Sequence, residues 1–103
     1  MVNVVIYLKE EFDAKELVHY LLNEKLIASA SIDEKNVFYE LVDGLYTEKV
    51  FSVITSQSKS LLFPDIVQAI EKRIGEQTAI HSTPIVASNK IFDDRIRSKT
   101  LPT

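Results

Sequence analysis

Cysteine is absent from this 103-residue sequence, and this absence excludes disulfides, thiolate metal sites and cysteine nucleophiles. A chain without cysteine suits a reducing compartment, so we expect a cytoplasmic protein. Glycine and proline are also scarce, with two and three residues, which argues against a disordered or linker-rich chain. The length suits one globular unit, and we expect a single domain over residues 1–103.

The sequence also lacks the features that mark a membrane or nucleic-acid partner. The formal net charge is −3, and no basic residues cluster into the face that nucleic-acid binding normally needs. The apolar run Val2–Leu8 is too short to span a bilayer, and no basic leader precedes it. We therefore expect neither a nucleic acid nor a membrane as a partner.

The stretch Phe12–Ile32 predicts an amphipathic helix that leads into a strand. Asp13 is placed to cap the first turn, and Glu16 three residues later completes a capping-box pattern. Apolar residues recur at three- and four-residue steps, which puts them on one side of the helix. They are Ala14, Leu17, Val18, Leu21, Leu22 and Leu26.

The remaining pattern predicts four strands and a second helix. Val2–Leu8 is almost continuously apolar, as in a central strand. Ile27–Ile32 begins a second strand, and Asp33–Asn36 interrupts it as either a bulge or a short loop. Val37–Val42 and Leu45–Thr55 flank Asp-Gly, which is the strongest short hairpin signal.

The second half of the chain is read from its turn residues. Ser56–Ser60 is predicted to be a polar loop that supplies an N-cap. Pro64 belongs in the first turn of a second helix, whose start is defined only to within a few residues, and Gly75 is the expected residue just after its end. Ile80–Ser88 is predicted to be a last strand, at a sheet edge because Pro84 cannot donate to a ladder. We further expect one helical turn around Phe92–Ile96, with Ile91, Phe92 and Ile96 docked on the sheet, and a C-terminal tail that frays over about residues 97–103.

The element order is therefore β-α-β-β-α-β. Two right-handed crossovers and one hairpin favour the ferredoxin-like α+β sandwich, an antiparallel four-stranded sheet with both helices on one face. The first and third strands are then central. This arrangement leaves the second face of the sheet without helices.

No catalytic motif accompanies this topology, and we expect a protein that is not an enzyme. His19 and His81 are the only histidines, and no set of ligands has the spacing of a metal site. Lys9–Phe12 has no glycine to cradle a phosphate, which argues against acylphosphatase-like activity. The strands also lack the basic and aromatic pattern of an RNA-recognition domain.

Aromatic residues lie along both strands of the predicted hairpin: Phe38, Tyr39, Tyr46 and Phe51. Two helices can cover only one face of the sheet, so some of these rings must point to the open face. Exposed aromatics and free strand edges are typical of surfaces that bind another chain. The pattern therefore favours oligomerisation.

Several stretches resemble the CutA, or divalent-ion-tolerance, proteins, which are relatives of the signalling PII proteins. Ala14–Ile32 is similar to the first helix and second strand of that family. Phe38-Tyr39 followed by Asp43-Gly44 resembles its aromatic strand and acidic-Gly turn, and Leu62-Phe63 begins a stretch like its second helix. Thr83–Ala87 resembles its last strand.

The chain departs from the family at the positions that would carry chemistry. The family's cysteine corresponds to Ser29, its tryptophans to Glu40 and Leu41, and the lysine after the hairpin glycine to Leu45. Its run before the last strand is replaced by Ala79–Ser82. Tyr39, Asp43, Gly44 and Pro84 match the residues of the family at their positions.

The resemblance implies a non-enzymatic homotrimer that binds a divalent ion such as copper, or a small ligand, at clefts between subunits. It points to Tyr39, Asp43 and His81 as cleft residues, with His81 as the candidate metal ligand. The alternative is a structural or interaction module of the same fold, whose open sheet binds a protein partner and which takes no metal or ligand.

Overall fold

The computed structural model describes all 103 residues, Met1–Thr103. Four strands, three α-helices and one 3-10 turn follow one another along the chain. The elements are β1 Val2–Lys9, α1 Ala14–Asn23, β2 Ser29–Val42, β3 Leu45–Ser58, the 3-10 turn Ser60–Leu62, α2 Phe63–Ile74, β4 Ala79–Pro84 and α3 Lys90–Lys99.

The four strands form one antiparallel sheet in the order β2-β3-β1-β4. β1 and β3 are the central strands and β4 lies at an edge, as the apolar runs and Pro84 predict. The ferredoxin-like α+β fold is thereby confirmed, with α3 added after its six elements. None of the three helices has the length and hydropathy needed to cross a bilayer.

Both α1 and α2 cover the same face of the sheet. Alternate residues of β1, such as Ile6, are fully buried, and Leu17 of α1 and Ile66 of α2 belong to the same hydrophobic cluster. The intervening β1 residues, including Tyr7, are only partly buried on the opposite face. We call that opposite face the open face, and the face under α1 and α2 the helix face.

α1 has a side-chain cap at its N-terminus and a backbone cap at its C-terminus. The Asp13 carboxylate accepts a hydrogen bond from the Glu16 amide at 3.1 Å, which confirms the predicted N-cap. The Glu16 carboxylate accepts from Arg73 of α2, so it pairs across the helix layer. At the other end, Lys25 has a left-handed backbone with φ of 57°, and the Leu26 amide donates to the Leu21 carbonyl, as in a Schellman motif.

The predicted polar loop over Ser56–Ser60 is wrong, because β3 continues to Ser58. Ser56 and Ser58 are fully buried on the helix face. Their hydroxyls donate to main-chain carbonyls, Ser56 to Val4 at 2.9 Å and Ser58 to Leu26 at 2.6 Å. A serine that satisfies its hydroxyl in this way can occupy a core strand position. α2 accordingly has no side-chain N-cap, and the 3-10 turn leads into it.

The hairpin follows the predicted turn chemistry. Asp43 and Gly44 both have positive φ, 51° and 77°, as a type I′ turn requires. The interruption before Val37 is a bulge between Asp33 and Asn36, so β2 runs as one strand. The two strands of the hairpin each have 14 residues.

The C-terminal region differs from the prediction. β4 ends at Pro84, and α3 has 10 residues where one turn was expected. Ile96 is buried, whereas Ile91 is 72% exposed and does not dock. The Thr100 hydroxyl donates to the Ile96 carbonyl, and the Leu101 amide donates to the Lys25 carbonyl at 2.9 Å. The chain is therefore docked as far as Leu101 rather than frayed from residue 97.

Candidate functional site

The far end of the β2–β3 hairpin projects beyond the rest of the sheet. β1 pairs with β3 only from Phe51 onward, so residues 45–50 have β2 as their sole strand partner. We call residues 37–50 the arm. Six residue pairs at the usual strand rise make it about 20 Å long, within a molecule whose longest extent is 48 Å.

The arm holds an unusual share of the exposed apolar side chains. Eleven large hydrophobic residues in the chain are exposed, and six of them lie on this one hairpin. Tyr46 is 88% exposed and Tyr39 71% exposed. The other four are Val37, Leu41, Val42 and Leu45. Val37, Tyr39, Leu41 and Tyr46 share one side of the arm, and a group of exposed apolar side chains of this kind is typical of a site that contacts another molecule.

The strand register divides the arm into two faces. Tyr39 and the Leu41–Tyr46 pair continue the helix face, although neither helix reaches them. Glu40 and Lys49 lie on the open face, where their charged groups are 3.4 Å apart. The helix-face side of the arm is therefore mainly apolar, and the open-face side carries an ion pair.

Four rings form a row across the open face, which we call the aromatic row. Its members are Tyr7, Phe38, Phe51 and His81. Phe38 packs edge-on against Phe51 and against Tyr7, with centroids 5.1 and 5.4 Å apart. Tyr7 stacks on His81 at 5.5 Å, and their Oη and Nε2 atoms are 2.7 Å apart. The row joins both edge strands across the centre of the sheet.

An ion pair flanks one end of the aromatic row. Lys9 Nζ lies 2.7 Å from Glu76 Oε2, and this hydrogen bond and charge raise the pKa of Lys9 above its ordinary value of 10.5. Tyr7, Phe51 and the pair line a small hollow of about 140 Å³. The hollow is large enough for a few water molecules but small for an organic ligand.

A second ion pair joins the helices on the other side of the sheet. Arg73 donates to the Glu16 carboxylate, which raises the pKa of Arg73, and its guanidinium lies 4.5 Å from the Tyr20 ring centroid. His19 is exposed on the same helix layer. Because this layer is opposite the open face, His19 and His81 are on different sides of the molecule.

The structure does not bring together the three residues that the resemblance points to. Tyr39 lies on the helix-face side of the arm, and Asp43 lies in the turn at its tip. His81 lies on the open face of β4, opposite Val5 of β1. The register thus separates these side chains within one chain.

A divalent metal does not fit the donors of a single chain. No three His, Asp or Glu side chains converge on one point. Ser29, in place of the family's cysteine, donates its hydroxyl to Gln57 Oε1 at 2.6 Å. His81 Nε2 is already paired with the Tyr7 hydroxyl.

Tyr7 is the site residue that the sequence interpretation missed. The alternation within Val2–Leu8 contains the signal, because Val4, Ile6 and Leu8 share one face and Tyr7 must lie on the other. Its contact with His81 depends on the β1–β4 pairing, which joins residues 74 positions apart.

Comparison with solved structures identifies proteins with the same arrangement. CutA1 from Oryza sativa superposes with a TM-score of 0.87 at 14% identity, covering 99% of this chain and 94% of that one. The divalent cation tolerance protein CutA1 from Thermus thermophilus gives 0.84 at 20% identity, covering 97% and 99%. The periplasmic divalent cation tolerance protein CutA from Archaeoglobus fulgidus gives 0.83 at 20% identity, covering 96% and 98%.

The fold is that of the CutA1 proteins. The likeness extends over almost the whole of both chains, so it includes the arm and α3 as well as the sandwich. No protein-family model matches the sequence, and no curated protein gives a significant match. The CutA1 fold is therefore retained here at low sequence identity.

Proposed function

We propose that this chain is a CutA1-like, non-enzymatic protein that assembles into a homotrimer and binds a divalent ion or small ligand at clefts between subunits. The observation that carries the proposal is the arm, residues 37–50, with six exposed apolar side chains on an unsupported hairpin. The CutA1 fold supports the family assignment, and the trimer follows from the family resemblance.

Physical chemistry gives the reason for assembly. A two-stranded hairpin without a third strand or a helix against it is marginally stable in water. The arm has neither partner, and its largest side chains, Tyr39 and Tyr46, face solvent in a single chain. β2 and β4 are also edge strands with free backbone groups on their outer sides. Contact with further copies would cover both the apolar side chains and these edges.

The same geometry supports clefts between subunits as the binding place. The arm extends about 20 Å beyond the paired region of β1, so Tyr39 and Asp43 meet solvent rather than their own body. In an assembly they would lie against a neighbouring copy. We propose that a cleft combines Tyr39 and Asp43 of one arm with His81 of another copy.

The donors in such a cleft would be an imidazole, a carboxylate and a phenol. These suit Zn²⁺, Ni²⁺ or Cu²⁺ better than Cu⁺, which prefers soft sulfur ligands. The chain has no cysteine, and Ser29 is engaged with Gln57. We therefore propose divalent rather than monovalent copper among the candidate ions, in a role of metal tolerance or signalling.

Calorimetric titration of the purified protein with Cu²⁺, Zn²⁺ and Ni²⁺ tests the binding proposal. We expect saturable heat with at least one ion. His81→Ala and Asp43→Asn should each lower the affinity for that ion more than tenfold. His19→Ala is the matched control, because His19 lies on the helix layer and should leave binding unchanged. The absence of saturable heat with all three ions would contradict ion binding.

The second candidate function is an interaction module that binds a protein partner and no ion. It is favoured by the lack of any converging group of metal donors within one chain and by the partly exposed aromatic row. Such a module would give no saturable heat with any of the three ions, whereas ion binding at the clefts requires it. The titration therefore discriminates between ion binding and a module that takes no ion.

We propose that the protein is cytoplasmic. The absence of cysteine favours the reducing cytoplasm, whereas the Archaeoglobus fulgidus protein of the same fold is described as periplasmic. Cell fractionation with an antibody against the chain would decide between the two compartments.

A further inference from the structure

A larger hollow lies far from the arm, between the end of β3 and α3. It measures about 550 Å³. Lys59 and the 3-10 turn line one side, the end of α3 with Thr100 lines another, and Met1, Pro102 and Thr103 complete the lining. Lys59, which lines it, follows the end of β3, whereas the aromatic row meets β3 at Phe51. The separation along the strand is on the order of 25 Å, so the two sites are distinct.

The side chains that line this hollow carry positive charge only. Lys59 and Arg97 are present, and no aspartate or glutamate side chain lines the hollow. This is notable in a chain with 15 acidic and 12 basic residues. The four ion pairs of the molecule use Lys9, Lys49, Arg73 and Lys90. Lys59 and Arg97 have no carboxylate partner.

Both cations retain hydrogen-bond capacity. Lys59 Nζ donates to the Leu101 carbonyl at 2.7 Å, which fixes its position and leaves two of its N–H groups free. Arg97 makes no side-chain hydrogen bond, so its whole guanidinium fork is available. A guanidinium fork matches the two oxygens of a carboxylate or phosphate. The Ser60 hydroxyl lines the same space and adds a further donor.

Apolar atoms make up another part of the lining. Ile96 forms a buried wall, and Leu61 is 72% exposed beside it. Binding sites for small molecules typically measure about 300–1,000 Å³ and combine apolar walls with a few polar groups. The hollow has this size and this combination. Charge and lining together select a ligand that is anionic at one end and apolar at the other.

We propose that this hollow binds a small organic anion, with its carboxylate or phosphate on Lys59 and Arg97 and its apolar body against Leu61 and Ile96. The proposal does not depend on the arm or on assembly, because none of these residues belongs to the arm or the aromatic row. It adds a second site on the surface of each subunit.

The test is an amide NMR titration of the full chain with hexanoate, hexyl phosphate and hexanol. We expect saturable shifts of Ser60, Arg97 and Thr100 with one or both anions, and none that saturate with hexanol. The two anions distinguish a carboxylate from a phosphate head group. Binding should weaken as salt is raised, because the contact is between charges.

Two variants and one control complete the experiment. The Arg97 side chain makes no hydrogen bond within the fold, so Arg97→Gln should not disturb it. This variant should lower the affinity for the anions at least tenfold. Lys59→Gln should lower it as well, while Lys99→Gln, which removes a charge on α3 that does not line the hollow, should leave it unchanged. The absence of saturable shifts with both anions, equal binding of hexanol, or equal loss in all three variants would overturn the proposal.

Discussion

The two ends of the β2–β3 hairpin have the same antiparallel strand pairing, but one end is buried by the helices and the other is exposed. At the body end Ile54 pairs with Ile32 and is fully buried beneath the helices. At the arm end Tyr46 pairs with Leu41 on the same side of the sheet, and both side chains are largely exposed. Along β3 the same alternate positions face the helix side in both parts, and the bulge in β2 shifts its alternation by one residue to match. The helices cover only the body end.

This difference shows that strand pattern alone does not distinguish a core from an interface. Apolar residues at alternate positions specify which face of a strand is buried. The rest of the fold determines which element packs against that face. In the body the cover is α1 and α2 of the same chain. In the arm we infer that it is another copy.

The largest expected effect tests the body end. Ile54→Ala should lower the free energy of unfolding by about 2–5 kcal/mol, because it leaves a cavity under the helices. Ile54→Val is the control and should lower it by about 0.5–1.5 kcal/mol. Urea unfolding followed by circular dichroism measures both. Equal, small losses in the two variants would show that this end is not tightly packed.

A substitution in the turn at the tip should affect only the arm. Gly44→Ala places a side chain at φ of 77° and should strain the turn by roughly 1–2 kcal/mol. Asp43→Asn is the control, since asparagine tolerates the left-handed backbone that Asp43 adopts. We expect faster amide hydrogen exchange in the arm and unchanged exchange in β1. Faster exchange throughout the sheet would contradict the separation of arm and body.

A hydroxyl pair compares buried and exposed hydrogen bonds on the same strand. Ser58→Ala removes a buried donor to the Leu26 carbonyl and should lower stability by about 1 kcal/mol. Thr47→Val removes an exposed donor to the Glu40 carbonyl, 3.2 Å away on the arm, where water can replace it. Its effect on urea unfolding should be smaller, and the reverse order would contradict this account.

The smallest effect concerns the Lys9–Glu76 pair. Because the folded state raises the pKa of Lys9, its stabilisation is present below pH 10.5 and is lost as pH rises through the higher folded value. The difference in Tm between wild type and Lys9→Gln should therefore be constant from neutral pH to below pH 10.5, and it should disappear as the pH rises through the higher folded pKa. Lys72→Gln, which removes an unpaired cation on α2, is the control. A difference that grows in alkali would contradict the assignment.

Local patterns were sufficient to predict most of the fold. The run Val2–Leu8, the Asp13 cap, the Asp43-Gly44 turn and the Gly75 stop each determine a structure within a few residues, and each prediction is confirmed. Ser56–Ser58 was misread because the carbonyls that bond these hydroxyls come from Val4 and Leu26, distant in sequence.

The functional surface was harder to predict from the sequence than the fold. The aromatics of the hairpin indicated an interface, but which of them face the helices depends on the bulge before Asn36. Tyr7 and His81 meet only through the pairing of β1 with β4. The hollow beside α3 could not be predicted, because the helix was expected to be a single turn and its docking depends on contacts with Lys25 and Lys59.

Sedimentation velocity of the full chain at micromolar concentration tests the central claim that copies of the chain cover the arm. We expect a species of three times the 11.7 kDa chain mass. Leu41→Lys should dissociate it into monomers with an unchanged circular dichroism spectrum. Leu22→Lys, which changes an exposed leucine on α1, should leave it intact. A wild-type chain that sediments as a monomer, or a Leu41→Lys trimer as stable as the wild type, would contradict the account.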